Sequence, residues 1–288
     1  MTSLTMTLPL QQPASVVQVG PALQVRGGVS AVERLIVNVL AARYGIRHVA
    51  TMEDGSAPRK ALVFARALRS LQPILRTHAT LVVHIHFASW GSTLRKMIVA
   101  RRAARAGHRV VLHAHGGGFA EFLGRMPGPF RRRILRFLRE ADHLVVLSSQ
   151  WRDFYVNKCG VPPTRVTVLP NPVRVPDAVP DRAGRAVVRL LCIGRMSESK
   201  GTFDLLRALA LVPDAVRGRL HVTLAGDGAV AQVRALAAQT AAQLTVMEWV
   251  DEPTRDKLLA EADVFVLPSY QEGITMSLLE AMAWGLPS

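Results

Sequence analysis

Ala262-Asp-Val-Phe-Val-Leu267 runs into Pro268-Ser-Tyr-Gln-Glu272-Gly273-Ile-Thr-Met-Ser-Leu-Leu-Glu280-Ala-Met-Ala-Trp-Gly285-Leu-Pro287-Ser288. The first piece is short, apolar and partly β-branched, the pattern of a buried strand. Thr275 to Trp284 holds few helix breakers, and Gly285 with Pro287 supplies a stop. The stretch therefore reads as strand, tight polar loop, helix. Gly273 allows backbone N–H groups to approach a ligand at the helix N-terminus. Glu272 lies on the loop, and Glu280 lies about two turns into the helix. Two carboxylates beside an anion-binding helix end suit a ligand carrying both phosphates and sugar hydroxyls. A simple anion would be repelled by them.

Working outward, strand-like runs alternate with helix-like segments along the whole chain, which predicts parallel α/β architecture. Val16–Val19, Leu81–His86, Val110–His113 and His143–Leu147 are the clearer strands of the first part. Leu190–Ile193, His221–Leu224, Leu244–Met247 and Val264–Leu267 follow in the second. Between the sets, Pro170-Asn-Pro172-Val-Arg-Val-Pro176-Asp-Ala-Val-Pro180 lacks periodicity and reads as a linker. The expected domains are residues 1–175, with 1–14 flexible, a linker over 176–186, and residues 187–288.

The bulk numbers narrow the class. At 288 residues, 49% hydrophobic and 20% charged, the chain is long and apolar enough for two folded domains. Two cysteines, Cys159 and Cys192, make no disulfide framework, so a reducing cytosol is expected. The first residues lack a basic stretch ahead of an apolar one, so they do not read as a secretory signal. No window approaches the roughly 18 apolar residues of a membrane-spanning helix. The formal charge of +15 calls for anionic partners. Its densest piece is Phe130-Arg-Arg-Arg-Ile134-Leu135-Arg136-Phe-Leu138-Arg139, where arginines flank an apolar stripe at helical spacing. Such a helix suits an anionic membrane surface or, equally, a packed surface position. Nucleic acid is not expected as a partner, because helix-turn-helix, zinc-finger and RNA-binding signatures are missing.

Two further motifs share the strand-to-helix logic. After Leu190–Ile193 comes Gly194-Arg195-Met-Ser-Glu-Ser-Lys200-Gly201-Thr202, with Thr202 a candidate cap for the next helix. Arg195 can grip a diphosphate bidentately while Lys200 acts as a point charge. In the first part, Val25-Arg26-Gly27-Gly28-Val29-Ser30-Ala-Val-Glu33 has capping-box spacing between Ser30 and Glu33, placing a helix start after the glycine pair. Leu224-Ala-Gly226-Asp227-Gly228 is a weaker turn signal before a helix near Ala229.

Glu272, Gly273 and Glu280, followed by Ala-Met-Ala-Trp-Gly-Leu-Pro, resemble the Glu–x7–Glu signature of retaining glycosyltransferase family 4. The resemblance implies a GT-B fold: two facing Rossmann-like domains with the donor in the cleft between them. It implies that Glu272 contacts the donor sugar and Glu280 the ribose hydroxyls, with Ile274 and Thr275 beside them. Gly194-Arg195 and Lys200-Gly201 resemble the family's basic motif, whose cations stabilise the leaving diphosphate. Gly27 and Gly28 resemble its glycine loop, and Gly226, Trp249 and Val250 match segments lining the nucleotide. His113-Ala-His115-Gly116-Gly117-Gly118 resembles its histidine–glycine loop, so His115 is expected to meet the donor sugar. The family normally continues past the equivalent of Ser288, so the second domain is read as C-terminally truncated.

The expected function is sugar transfer from a nucleoside diphosphate sugar to a glycan or lipid-linked acceptor hydroxyl, with retention. A peripheral place on the inner membrane face goes with it. No Asp-x-Asp occurs, so a metal-independent reaction with no cofactor is expected, the cations meeting the phosphate charge. His84 and His86 pair on one strand face as His113 and His115 do on another. A zinc site there lacks carboxylate or cysteine company, and satisfied buried histidines are the favoured reading for His84 and His86. A donor-binding protein or fragment without activity is the alternative to the enzyme.

Overall fold

A computed structural model describes residues 16–77, 79–240, 242–270, 272 and 275–288. The chain divides into two compact units between Asn171 and Pro172. Residues 1–14, expected to be flexible, lie outside the described residues, as do Gly273 and Ile274.

The first unit alternates strands and helices: β1 (Val16–Gly20), α1 (Gly28–Tyr44), β2 (Arg47–Ala50), α2 (Ala57–Ile74), β3 (Val82–Phe87) and α3 (Gly91–Arg105). It continues with β4 (Arg109–Ala114), α4 (Phe119–Arg125), α5 (Gly128–Glu140), β5 (His143–Val146), α6 (Ser149–Asn157) and β6 (Val166–Val168). The strands form one parallel sheet in the order β2-β1-β3-β4-β5-β6. Each parallel pairing needs a crossover, and the intervening helices supply it. The two strands not singled out from sequence, β2 and β6, are the sheet's edges. Each has a single buried residue, so neither carries the apolar run that marks an interior strand.

The second unit contains β7 (Val188–Ile193), α7 (Thr202–Leu211), α8 (Asp214–Arg217), β8 (Leu220–Ala225), α9 (Val230–Ala237), β9 (Gln243–Met247), α10 (Glu252–Glu261), β10 (Val264–Phe265) and α11 (Met276–Ala283). Its parallel sheet runs β10-β7-β8-β9. Successive residues of β7 feed opposite layers, as strand geometry demands. Cys192 packs with Phe203, Leu206, Leu209 and Val233 of α7 and α9. Leu191 packs with Leu259, Phe265 and Ala281 of β10 and the α10 and α11 side.

In both sheets the strand order reverses at one point, between β1 and β3 and between β7 and β10. Such a reversal is a topological switch point, and sheets of this kind bind ligands beside it, at the carboxyl ends of the strands.

Three sequence expectations are corrected. Helix α5 turns Ile134, Phe137 and Leu138 into the core with Phe130 and Leu135 packed against it, so its apolar stripe is not available to a membrane. Residues 176–186 are not a free linker. Arg182 donates from Nε to the Ala262 carbonyl at 2.6 Å and from Nη2 to the carbonyls of Trp284 at 3.0 Å and Leu259 at 3.3 Å. Arg185 donates to the Glu261 carbonyl at 2.6 Å and Asp263 Oδ1 at 2.8 Å, strapping the segment to the second unit. Helix ends lack hydrogen-bond partners within the helix, and these guanidinium groups meet such carbonyls with charge-assisted bonds. Strand β10 is only Val264–Phe265, because its ladder ends where Val266 N–H donates to the Leu191 carbonyl and the chain turns off.

Candidate functional site

In the second unit the switch point unites two motifs far apart in sequence. Lys200 ends a 3-10 turn over Glu198–Lys200 after β7, and Glu272 lies on the loop after β10. Lys200 Nζ donates to Glu272 Oε1, both side chains being about a quarter exposed. Arg195 is exposed on the same loop and lines a small recess with Gly194, Lys200, Thr202 and Leu267.

The glycines of these loops let backbones touch. A Cβ on Gly201, at φ +65°, would stand 2.0 Å from the Pro268 carbonyl oxygen. A Cβ on Gly226 would stand 1.8 Å from the Gly194 carbonyl oxygen. The loops after β7 and β8 are further joined by Met196 N–H donating to the Asp227 carbonyl at 2.7 Å and Ala229 N–H to the Met196 carbonyl at 3.0 Å. Gly201 is also the residue before α7, and Thr202 does not cap that helix. The Thr202 hydroxyl instead accepts from Ser197 N–H at 3.2 Å, fixing the loop that carries Lys200.

Helix α11 places Glu280 in its second turn, five residues after Thr275, the residue before its start. Glu280 Oε1 lies 3.2 Å from Arg255 Nη1 of α10. Both line a cavity of about 200 Å3 with Arg174, Asp177, Glu252 and Trp284. Trp249 is exposed and Val250 half-buried on the loop between β9 and α10.

In the first unit Gly27 and Gly28 are exposed at the start of α1, where a Cβ on Gly27 would meet nothing within 4 Å. The helix begins at Gly28 without a side-chain cap, so the expected capping box is absent. Ser30 and Glu33 are instead buried, and Glu33 turns inward. Its carboxylate occupies the space a side chain at Gly20 would need. Glu33 Oε2 lies 3.1 Å from His48 Nε2, and Oε1 lies 3.8 Å from His86 Nδ1. Burial raises the Glu33 pKa against the lowering effect of His48 and Lys96.

His115 follows β4 and is buried, its Nε2 lying 2.8 Å from His86 Nδ1. Burial pushes the His115 pKa down to about 3 and that of His84 down to about 4, so these rings are neutral. His86 and His113 are lowered further by burial and by the neighbouring histidines. The expectation of a satisfied histidine is corrected at His86, whose Nε2 is buried with no hydrogen-bond partner among the described residues; both His113 nitrogens are in the same state. The cause is register, since His86 pairs with His113 across the sheet and stacks four imidazoles where few acceptors reach.

Lys96, not singled out from sequence, is fully enclosed and donates to Thr51 Oγ1. Burial lowers its pKa to about 7, Glu33 opposing that shift. A signal was available, because Lys96 shares one face of α3 with the buried Thr93, Val99, Ala100 and Ala103. Arg255 carried no comparable signal, since only the packing of α10 against α11 brings it to Glu280.

Comparison with known proteins follows the same division. Residues 40–175 match the family described as Glycosyltransferase Family 4, and residues 187–288 match Glycosyl transferases group 1. The chain is 26% identical over 246 residues to UDP-Gal:alpha-D-GlcNAc-diphosphoundecaprenol alpha-1,3-galactosyltransferase of Escherichia coli, covering 77% of this chain and 60% of that one. It is 34% identical over 188 residues to D-inositol 3-phosphate glycosyltransferase of Geodermatophilus obscurus, covering 57% and 42%. Among solved structures it resembles HepE of Anabaena, determined in complex with UDP, with a TM-score of 0.65 and 14% identity. That match covers 95% of this chain and 79% of HepE. The chain thus spans well under two thirds of the inositol phosphate enzyme and 60% of the galactosyltransferase.

Proposed function

We propose, from the premise that the chain belongs to the group 1, family 4 glycosyltransferases, that it transfers a sugar from a nucleoside diphosphate donor to an acceptor hydroxyl with retention of configuration. The observation that carries the reading is the meeting of Lys200 and Glu272 at the switch point of the second sheet, beside Arg195. A cation and a carboxylate held together there match the two halves of a sugar–diphosphate. Lys200 and Arg195 stabilise the negative charge that grows on the leaving diphosphate, a differential interaction that lowers the barrier. Glu272 hydrogen-bonds the sugar hydroxyls, and Glu280 those of the ribose, with Thr275, Trp249, Val250 and the glycine loops lining the donor. His115, neutral, is a hydrogen-bond partner for the sugar rather than a charge. In this reading the acceptor attacks the face the leaving group departs from. An oxygen of the diphosphate takes the acceptor's proton as the glycosidic bond breaks and the new one forms. The cations do the work of a divalent ion, so the transfer itself is metal-independent.

The Escherichia coli relative is named for an acceptor on diphosphoundecaprenol, and on that ground a lipid-linked glycan is the proposed acceptor class. None of the described helices is long and apolar enough to cross a membrane. Arginines on the outer side of α5 give a charge-only attraction to an anionic leaflet. The test is turnover of UDP- and GDP-sugars by this chain, with Arg195→Ala and Glu272→Ala beside it. Both variants are expected to lose at least about 100-fold in kcat, the scale seen when one transition-state donor is removed. Unchanged rates in both would sink the assignment.

A further inference from the structure

The first unit holds a group of side chains with no part in the transfer chemistry above: His84 and His86 of β3 and His113 of β4. Strand periodicity puts His84 and His86 on one face, and the β3–β4 register places His113 directly beside His86. One ligand nitrogen from each of the three lies within 4.8 Å of the others. Tetrahedral zinc with bonds of about 2.0–2.1 Å needs nitrogens about 3.4 Å apart, so binding would draw the three rings together by up to about 1.4 Å. His86 Nε2 and both nitrogens of His113 are fully enclosed, without partners among the described residues. Leaving buried polar atoms unpaired costs about 1–3 kcal/mol each, so the arrangement calls for an occupant.

The surroundings are those of a metal ligand's second layer. The other nitrogen of His86, Nδ1, lies 2.8 Å from His115 Nε2 and 3.8 Å from Glu33 Oε1. Metal-bound imidazoles are held in this way, the second ring nitrogen fixed by a neighbour or carboxylate. Glu33 is itself anchored by His48 at 3.1 Å, and Lys96 faces it from α3.

We propose that His84, His86 and His113 form a three-histidine site for a divalent transition ion of the zinc type, with the fourth position open toward the half-buried His84. Three imidazoles without carboxylate or thiolate favour Zn2+, Co2+ or Ni2+ over Mg2+ and Ca2+, which take oxygen ligands. The ion would tie the ends of β3 and β4 together and hold His86 against His115.

The test uses the whole chain without a histidine tag, stripped with a chelator and titrated with Co2+. The expected result is one equivalent of bound Co2+ with the visible d–d bands of an imidazole-bound ion, bleached by Zn2+ but not by Mg2+. His84→Asn and His113→Asn are each expected to abolish the bands. The double variant His143→Gln with His221→Gln, whose rings face threonines elsewhere, keeps them. His84 is half-buried, so its variant decides the matter even if the His113 variant fails to fold, circular dichroism checking each. No bands in the parent chain, or equal Co2+ uptake by a folded His84→Asn chain, overturns the site. Neither outcome depends on transferase activity.

Discussion

Gly201→Ala is the sharpest test of how the second unit builds its motif. The added Cβ would sit 2.0 Å from the Pro268 carbonyl oxygen, 2.8 Å from its carbonyl carbon and 3.1 Å from its Cβ. Backbone atoms cannot move aside as a side-chain tip does, so one of the two loops must shift. The residue also has φ +65°, a left-handed conformation that costs an L-residue roughly 1–2 kcal/mol. Overpacking adds about 1–3 kcal/mol, giving about 2–5 kcal/mol together. Gly184→Ala separates the terms, because Gly184 has φ +71° in the same unit but nothing within 4 Å of the added atom. It should lose only the conformational part, about 1–2 kcal/mol. Hydrogen–deuterium exchange of β7 and β8 amides in the whole chain reads this unit by itself. At 1.4 kcal/mol per decade, Gly201→Ala should speed exchange about 30- to 3,000-fold, and Gly184→Ala about 5- to 30-fold. Since the Gly201–Pro268 contact holds the two motif loops together, donor binding should weaken only in Gly201→Ala. Equal effects of the two substitutions would show that the close approach is not needed, and the account of this loop would fall.

Other expectations follow from the same physics. Lys96 has a folded pKa lowered to about 7 from 10.5, so between those values the unfolded chain holds a proton the folded one lacks. Stability therefore rises with pH across that window, by up to about 1.4 kcal/mol per unit. Lys96→Met should remove this slope, read as the difference between the two chains' urea unfolding curves from about pH 7 to 8.5; parallel curves would refute it. Arg182→Ala strips charge-assisted bonds from three carbonyls around α10 and α11, and a loss of about 2–4 kcal/mol in amide protection there is expected. For α5, Ile134→Ala should cost about 2–5 kcal/mol in chemical unfolding without altering vesicle binding. Reversing Arg132, Arg133 and Arg136 to Glu should instead abolish flotation with anionic vesicles and leave stability nearly unchanged.

Much of the architecture was legible because it rests on local patterns. Interior strands such as Val110–His113 and His221–Leu224 announce themselves by apolar runs, and the paired motifs by glycines and charges at strand ends. The edge strands β2 and β6 are half polar and short, so nothing local marks them. Ser30 and Glu33 show why spacing alone misleads. The pair has capping-box spacing but forms the third and sixth residues of α1, and burial against Gly20 and His48 decides where the carboxylate points. The same holds for Thr202, whose hydroxyl found a backbone donor on its own loop before a helix end.

What the amino-acid order determined by itself is the parallel α/β class, the places where strand gives way to ligand loop, and the family those loops belong to. These depend on periodicity and on residue types within a few positions of one another. Only the tertiary structure decided that Lys200 meets Glu272, that Arg255 meets Glu280, and that His84, His86, His113 and His115 stack on one another with His86 beside Glu33. Those contacts join residues separated by crossovers. They are set by strand order and register, which the chain fixes only when whole layers pack and every buried group competes for the same few partners.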